Sequence, residues 1–373
     1  MVTSDSIETL TSLWWSGVNA VGGCLCVNAF FAANPSDPPT LILAVGKAAE
    51  PMYLAAADHF ARDIPFFIAT KYNHLKVFKK CTSAICSGHP TPDENSVRAG
   101  RELLRRVREA GPKDRLLFLV SGGASAIAEL PEEGLTLTDI ALQNEKLVSG
   151  GLAIGEINAA RQITSQVKAG KLLAHFNGAS ILTLGLSDVE GDGIDLIGSG
   201  IGALPAPKGV DYHCEIVGSN QIARVAVQKA AEEAGLSVRT NQETLYCDVE
   251  VAAKKVVGAL RDRGTGIWIF GGEPTVALPP NPGKGGRNQA LALIIAREIS
   301  GMQGITVLVA GTDGTDGPTD AAGAIVDGST WTDSAQEALH RADAWTWLNA
   351  HGGLFVTGPT GTNIMDLIIA IKV

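Results

Sequence analysis

The chain has 373 residues, 45% hydrophobic and 18% charged, which is more than one ordinary core needs and enough apolar content for two. Its net charge of −9, from 30 basic and 39 acidic residues, comes without a basic stripe of interleaved aromatics, and this argues against a nucleic-acid partner. The six cysteines (Cys24, Cys26, Cys81, Cys86, Cys214 and Cys247) form no paired CxxC, so they exclude the usual structural zinc and read as reduced thiols of a cytoplasmic protein.

Residues 10–33 are apolar, but Asp5 and Glu8 precede them without a positive region, and Ser16, Asn19 and Asn28 interrupt them. A buried first helix is therefore expected rather than a signal or membrane segment. Thr40–Val45 reads as a strand, followed by Gly46-Lys47 and a helix over Ala48–Phe60. Ile64–Ala69 and Ser83–Cys86 read as further strands. The loop Gly88–Asp93, with Pro90 and Pro92, precedes a helix at 94–110. Leu116–Val120 has no polar break, as expected of a strand covered on both faces, and leads into Ser121-Gly122-Gly123-Ala124-Ser125. The stretch 137–175 reads as helical and Ser180–Leu186 as a strand. Residues 199–212 read as a long connection and Asn220–Gly235 as a helix. Gly266–Gly271, Ile305–Ala310 and Leu354–Thr357 read as later strands, and Ala290–Ile299 as an apolar helix. Alternation of strand and helix predicts a mostly parallel α/β sheet, with a domain boundary in 205–240.

Glycine is abundant, with 43 residues where the average usage of ~7% would give roughly 26. These glycines gather in short loops after apolar runs, where α/β folds carry their ligands. The densest such loop is 311–323, which places Asp313, Asp316 and Asp320 within eight residues. Carboxylates so crowded are expected to converge and to need a cation, and hard oxygen ligands of this kind suit Mg²⁺. Ser121–Ser125 is an expected anion cradle, although it is neither a Walker A loop nor GxGxxG. Lys47 stands at the mouth of another strand–helix turn. Asn158, Arg161, Ser165 and Lys168 would share one helical face. Asp188 and Asp192 follow a strand, and so does Glu273. Gly283–Gln289, containing Lys284, Arg287 and Asn288, opens a helix and is expected to bind a second anion. Gly358–Asn363 precedes Asp366. Clustered cations and carboxylates at strand ends, without Ser-His-Asp logic, favour phosphoryl transfer.

Together these loops resemble the glycerate 2-kinases, a family whose members have also been called hydroxypyruvate reductases. The resemblance runs from Val45-Gly46-Lys47-Ala48 through Gly88–Asp93, Ser121–Ala126, Asn158–Lys168, Ser187–Asp192, Gly271–Thr275, Gly285–Asn288 and Gly311–Gly323 to Gly358–Asn363. It implies a Rossmann-like N-terminal glycerate kinase domain, residues 1–220, and a smaller α/β C-terminal domain of MOFRL type, residues 221–373, with the active site in the cleft between them. It implies ATP-dependent phosphorylation of D-glycerate at its 2-hydroxyl, by a soluble cytoplasmic enzyme whose partners are small molecules, with a homodimer left open. Lys47, Arg287, Asp188 and Asp192 are then the catalytic candidates. Ser121, Gly122, Gly123 and Ser125 would hold the nucleotide. Lys47, Arg161, Lys168, Glu273, Arg287 and Asn288 would hold the acid, and Asp188, Asp192, Asp313 and Asp316 would hold Mg²⁺. The chain departs from the family pattern in three places. Ala124 replaces a glycine, Lys168-Ala169-Gly170-Lys171 replaces Lys-Gly-Gly-Arg, and Ser199–Pro205 replaces Ser-Gly-Pro-Thr. Two alternatives follow: an oxidoreductase acting on hydroxypyruvate, against which the missing GxGxxG speaks, and a silent or altered-substrate protein of the same fold.

Overall fold

The computed structural model describes residues 4–61, 63–142, 162–206, 209–261 and 264–373. The chain forms two compact units, one from Gly22–Ser219 with Gly361–Asn363, the other from Met1–Val21, Asn220–Thr360 and Ile364–Val373.

In the first unit, the unbroken apolar runs become the inner strands of a six-stranded sheet. Its strands are β1 (Leu41–Val45), β2 (Phe66–Lys71), β3 (Ala84–Ser87), β4 (Arg115–Val120), β5 (Ser180–Leu186) and β6 (Asp211–Gly218). They lie in the order 3-2-1-4-5-6, and every neighbouring pair is parallel. This is the doubly wound Rossmann order, with a reversal of winding between β1 and β4 that opens a crevice at their carboxyl ends. The core is built from Leu43, Val45, Phe67, Phe118 and Val120, with Leu103 and Val107 of a covering helix.

Part of this unit departs from the sequence reading. The expected connection 199–212 runs into β6, an edge strand whose Asp211, His213 and Glu215 face solvent and so give no apolar run. The expected helix 137–175 begins as helix at 137–142, and residues 143–161 lie outside the described residues. Its last part is not helical, because Ala169 and Gly170 are left-handed and only a 3₁₀ turn, Leu173–His175, follows.

The second unit has strands β7 (Val238–Glu243), β8 (Gly266–Gly272), β9 (Ile305–Gly311), β10 (Gly323–Asp327), β11 (Leu354–Phe355) and β12 (Asp366–Lys372). Their order is 11-10-9-12-8-7, parallel between β7 and β8 and antiparallel elsewhere. Helix α1 (Ser4–Ala20), counted with the N-terminal domain from sequence, packs in this unit against the helix Asn220–Glu233. Gly17 makes the approach possible, since a Cβ there would lie 2.7 Å from Val227 Cγ2. Trp14 is fully buried and meets Phe355 edge-on at 5.1 Å between ring centres. The apolar N-terminal run is thus core, and among the described residues no single helix is long and apolar enough to cross a membrane.

Candidate functional site

In the first unit, functional candidates gather where the winding reverses. Lys47 follows β1, and Ser121–Ser125 follow β4, the neighbouring strand. The two turns are laced by backbone. Lys47 N–H donates to Gly122 O at 2.9 Å, Ser121 N–H donates to Val45 O at 3.0 Å, and the fully buried Ser121 Oγ accepts from Ala48 N–H at 3.0 Å. Ser121 is therefore a clamp between the turns, which corrects its expected contact with a nucleotide. Gly46 takes the left-handed φ of 121°, which lets the chain pass directly over Ser121.

Asp188, at the end of β5, lies against the same loop. Its Oδ2 accepts from Asn363 Nδ2 at 2.9 Å, and a Cβ on Gly122 would collide with both atoms. A Cβ on Gly123 would lie 3.2 Å from His89 Nε2. Gly122 and Gly123, Asp188, Asn363 and His89 thus share one small volume beside Lys47. Asn363 and His89 were legible as loop residues only, because what identifies them is proximity across long stretches of chain. Ser125 Oγ lies 3.0 Å from Ser199 Oγ. Ala124 starts a short right-handed helix with its methyl buried, so the alanine at the family's glycine position is accommodated without strain.

Asp192 sits in a left-handed turn, and its Oδ1 is buried with no hydrogen-bond partner. A buried carboxylate oxygen without a donor is what a bound cation would satisfy, so the loop Ser187–Asp192 fits Mg²⁺. Lys168, expected to meet substrate, is 2% exposed and ion-paired with the buried Glu129. Such a pair holds two segments together and leaves little reach for a ligand. Asn158 and Arg161 lie outside the described residues, and the segment containing Ser165 and Lys168 is not a helix.

In the second unit, Asp366 begins β12 between Gly272 of β8 and Gly311 of β9. Its buried carboxylate receives Arg287 Nε at 2.7 Å and Nη2 at 3.1 Å, and Asn288 Nδ2 at 2.9 Å. Arg287 Nη1 reaches Glu273 Oε1 at 2.7 Å. Desolvation disfavours the guanidinium charge, but Asp366 and Glu273 outweigh it and hold the pKa above its ordinary value. Asn288, 1% exposed, braces Asp366 rather than facing solvent.

The expected anion site at the start of the helix Arg287–Glu298 is already filled. Asp316 Oδ1 accepts from Asn288 N–H at 3.1 Å, and Oδ2 accepts from Gln289 N–H at 2.8 Å. The chain supplies its own anion to these orphan amides. Burial pushes the Asp316 carboxyl up to about 7, against the pull of the two N–H donors and Arg287. The three aspartates of 311–323 consequently do not converge. Asp313 closes a turn on Thr315 N–H at 2.9 Å, Asp316 caps the helix, and Asp320 accepts from Trp345 Nε1 at 2.9 Å. Among the described residues no group of three or more His, Cys, Asp or Glu could hold a metal by itself.

Residues 9–233 match a domain of unknown function, DUF4147, and residues 266–366 match the MOFRL family. The D-glycerate 2-kinase of Thermotoga maritima is 35% identical over 381 residues, spanning 89% of this chain and 90% of that protein. The chain belongs to the glycerate 2-kinase family. The glycerate 2-kinase of Pyrococcus horikoshii is 34% identical over 385 residues, covering 88% of this chain and 86% of its own length. A crystal structure of glycerate kinase from Thermotoga maritima superposes with a TM-score of 0.84 at 32% identity, over 98% of this chain and 99% of that one. The two matched segments follow one another along the chain and together span most of it.

Proposed function

We propose that this chain transfers the terminal phosphoryl group of ATP to the 2-hydroxyl of D-glycerate. The kinship with D-glycerate 2-kinases over nearly the whole chain carries this reading. The placement of Lys47 and the glycine loop at the reversal of the parallel sheet supports it, since such crevices bind phosphorylated ligands. Phosphoryl transfer asks a protein for positioning and charge more than for covalent chemistry. Lys47 and Arg287 supply positive charge to anionic oxygens, while Gly122, Gly123 and Ser125 line the nucleotide's phosphates. Asp188, held by Asn363, orients the 2-hydroxyl and takes its proton as the oxygen–phosphorus bond forms and the bond to ADP breaks.

Asp192, with its unpartnered buried oxygen, is the residue that would hold Mg²⁺. The ion would neutralise phosphate charge. Asp316 leaves the set of metal ligands, because both its oxygens cap a helix. Lys168 leaves the substrate set, because it is buried on Glu129. A coupled assay of ADP release with D-glycerate tests the reading, and turnover that depends on both ATP and the acid is expected. Oxidation of NADH or NADPH by hydroxypyruvate, without ADP release, would favour the reductase instead.

A further inference from the structure

Arg287 has two carboxylate partners that differ in kind. Asp366 is 1% exposed in its side chain, sits at the start of a central strand, takes two guanidinium N–H groups and is braced by Asn288. Glu273 is 43% exposed in its side chain and lies on the loop after β8, where it takes Nη1 at 2.7 Å. Breaking the first pair would strand a buried carboxylate, a large cost. Breaking the second returns an accessible carboxylate to water, and partly exposed pairs of this kind are worth little. An anion approaching Arg287 therefore meets a guanidinium whose accessible edge is already occupied by a carboxylate of the protein.

We propose that Glu273 is an internal competitor for the carboxylate or phosphoryl oxygen that Arg287 binds. It keeps the guanidinium oriented and neutralised until the ligand takes Nη1, and it thereby weakens the site for any single anion. This inference rests on the reading of Arg287 as an anion clamp. Glu273 then sets the affinity of the site for every anion that takes Nη1, and the same displacement cost applies to each.

The test uses the full chain and titrates D-glycerate, and separately inorganic phosphate, by calorimetry. Glu273→Gln keeps an oxygen that accepts from Nη1 and removes only the charge. Both anions are expected to bind roughly two- to fivefold tighter than to the unaltered protein, the worth of a partly exposed ion pair. The two anions are expected to gain by a similar factor, and the gain should shrink with added potassium chloride. Glu273→Ala is expected to tighten phosphate binding in the same direction, and Arg287→Lys combined with Glu273→Gln to lose the gain. Unchanged or weaker binding of both anions by Glu273→Gln overturns the proposal, as does absence of anion binding in every form. ADP release is measured in parallel. Its absence from a protein that still shows the exchange would fault the kinase reading and leave the competitor role standing.

Discussion

Lys47 and Arg287 carry the same charge in different settings, and their removal separates binding from folding. Lys47 lies at the mouth of a turn whose shape is fixed by backbone hydrogen bonds from its own N–H and its neighbours. Lys47→Ala is expected to cut kcat/KM by about a hundredfold or more, the scale of a lost charge contact in a transition state, while the melting temperature stays put. Arg287→Ala is expected to lower both rate and melting temperature, because it leaves the buried Asp366 without its cation. Such losses run to about 3–5 kcal/mol. Asp316 offers a pH test. Its folded-state pKa near 7 lies above the ordinary 3.8, so the folded state binds the proton more tightly than the unfolded chain does. Its contribution is fully present below about pH 4 and is lost as pH rises through about 7. Urea unfolding at pH 5 and pH 8 should show a smaller difference for Asp316→Asn than for the unaltered protein. Lys47 and Arg287 were singled out from sequence because each follows a glycine at a strand or helix end, and Asp188 because it comes just after a strand. The partners that decide their chemistry were not: Asp366 lies 79 residues from Arg287, and Asn363 lies 175 residues from Asp188.

Among the elements, two carboxylates hold helices and loops in place without touching the candidate chemistry. Asp93 caps the helix Glu94–Arg108 by accepting from Ser96 N–H at 3.0 Å, and Ser96 Oγ returns the contact to Asp93 N–H at 3.0 Å. Asp93→Ala is expected to cost about 0.5–2 kcal/mol in chemical denaturation. Glu50 is 3% exposed and accepts from three consecutive amides, Lys76 at 2.6 Å, Val77 at 2.9 Å and Phe78 at 3.0 Å. Glu50→Ala should speed hydrogen exchange at those three amides while the β1 amides stay protected, because the loop loses its anchor and the sheet does not. Inner strands such as β1, β4 and β9 were legible because each carries a nearly unbroken apolar run. The edge strands β6 and β7 were not, because exposed polar residues interrupt them and their pattern resembles a polar loop. The loop 311–323 misled in an instructive way. Its density of aspartates reads as a metal site, but Asp313, Asp316 and Asp320 each satisfy a different local donor. Asx turns and helix caps use the same residues that cation sites use.

At the scale of the whole molecule, the order 3-2-1-4-5-6 decides where ligand chemistry can sit in the first unit; alternating strands and helices announced the parallel sheet but not that order. The second unit's antiparallel majority was not announced, because β10 and β12 were not read as strands. A ligand that binds only the folded chain must raise its stability, so Mg·ATP is expected to increase the melting temperature, and Asp192→Asn should diminish that increase. Phosphoryl transfer to a small hydroxy acid is the reaction that this chain is expected to run. The most direct measurement incubates the full chain with Mg·ATP and D-glycerate and follows ADP release together with the product's phosphorus-31 spectrum. ADP and 2-phosphoglycerate are expected in equal amounts, with loss of both in Lys47→Ala. A folded protein that releases no ADP at millimolar D-glycerate, or that places the phosphate on the 3-hydroxyl, would contradict that expectation.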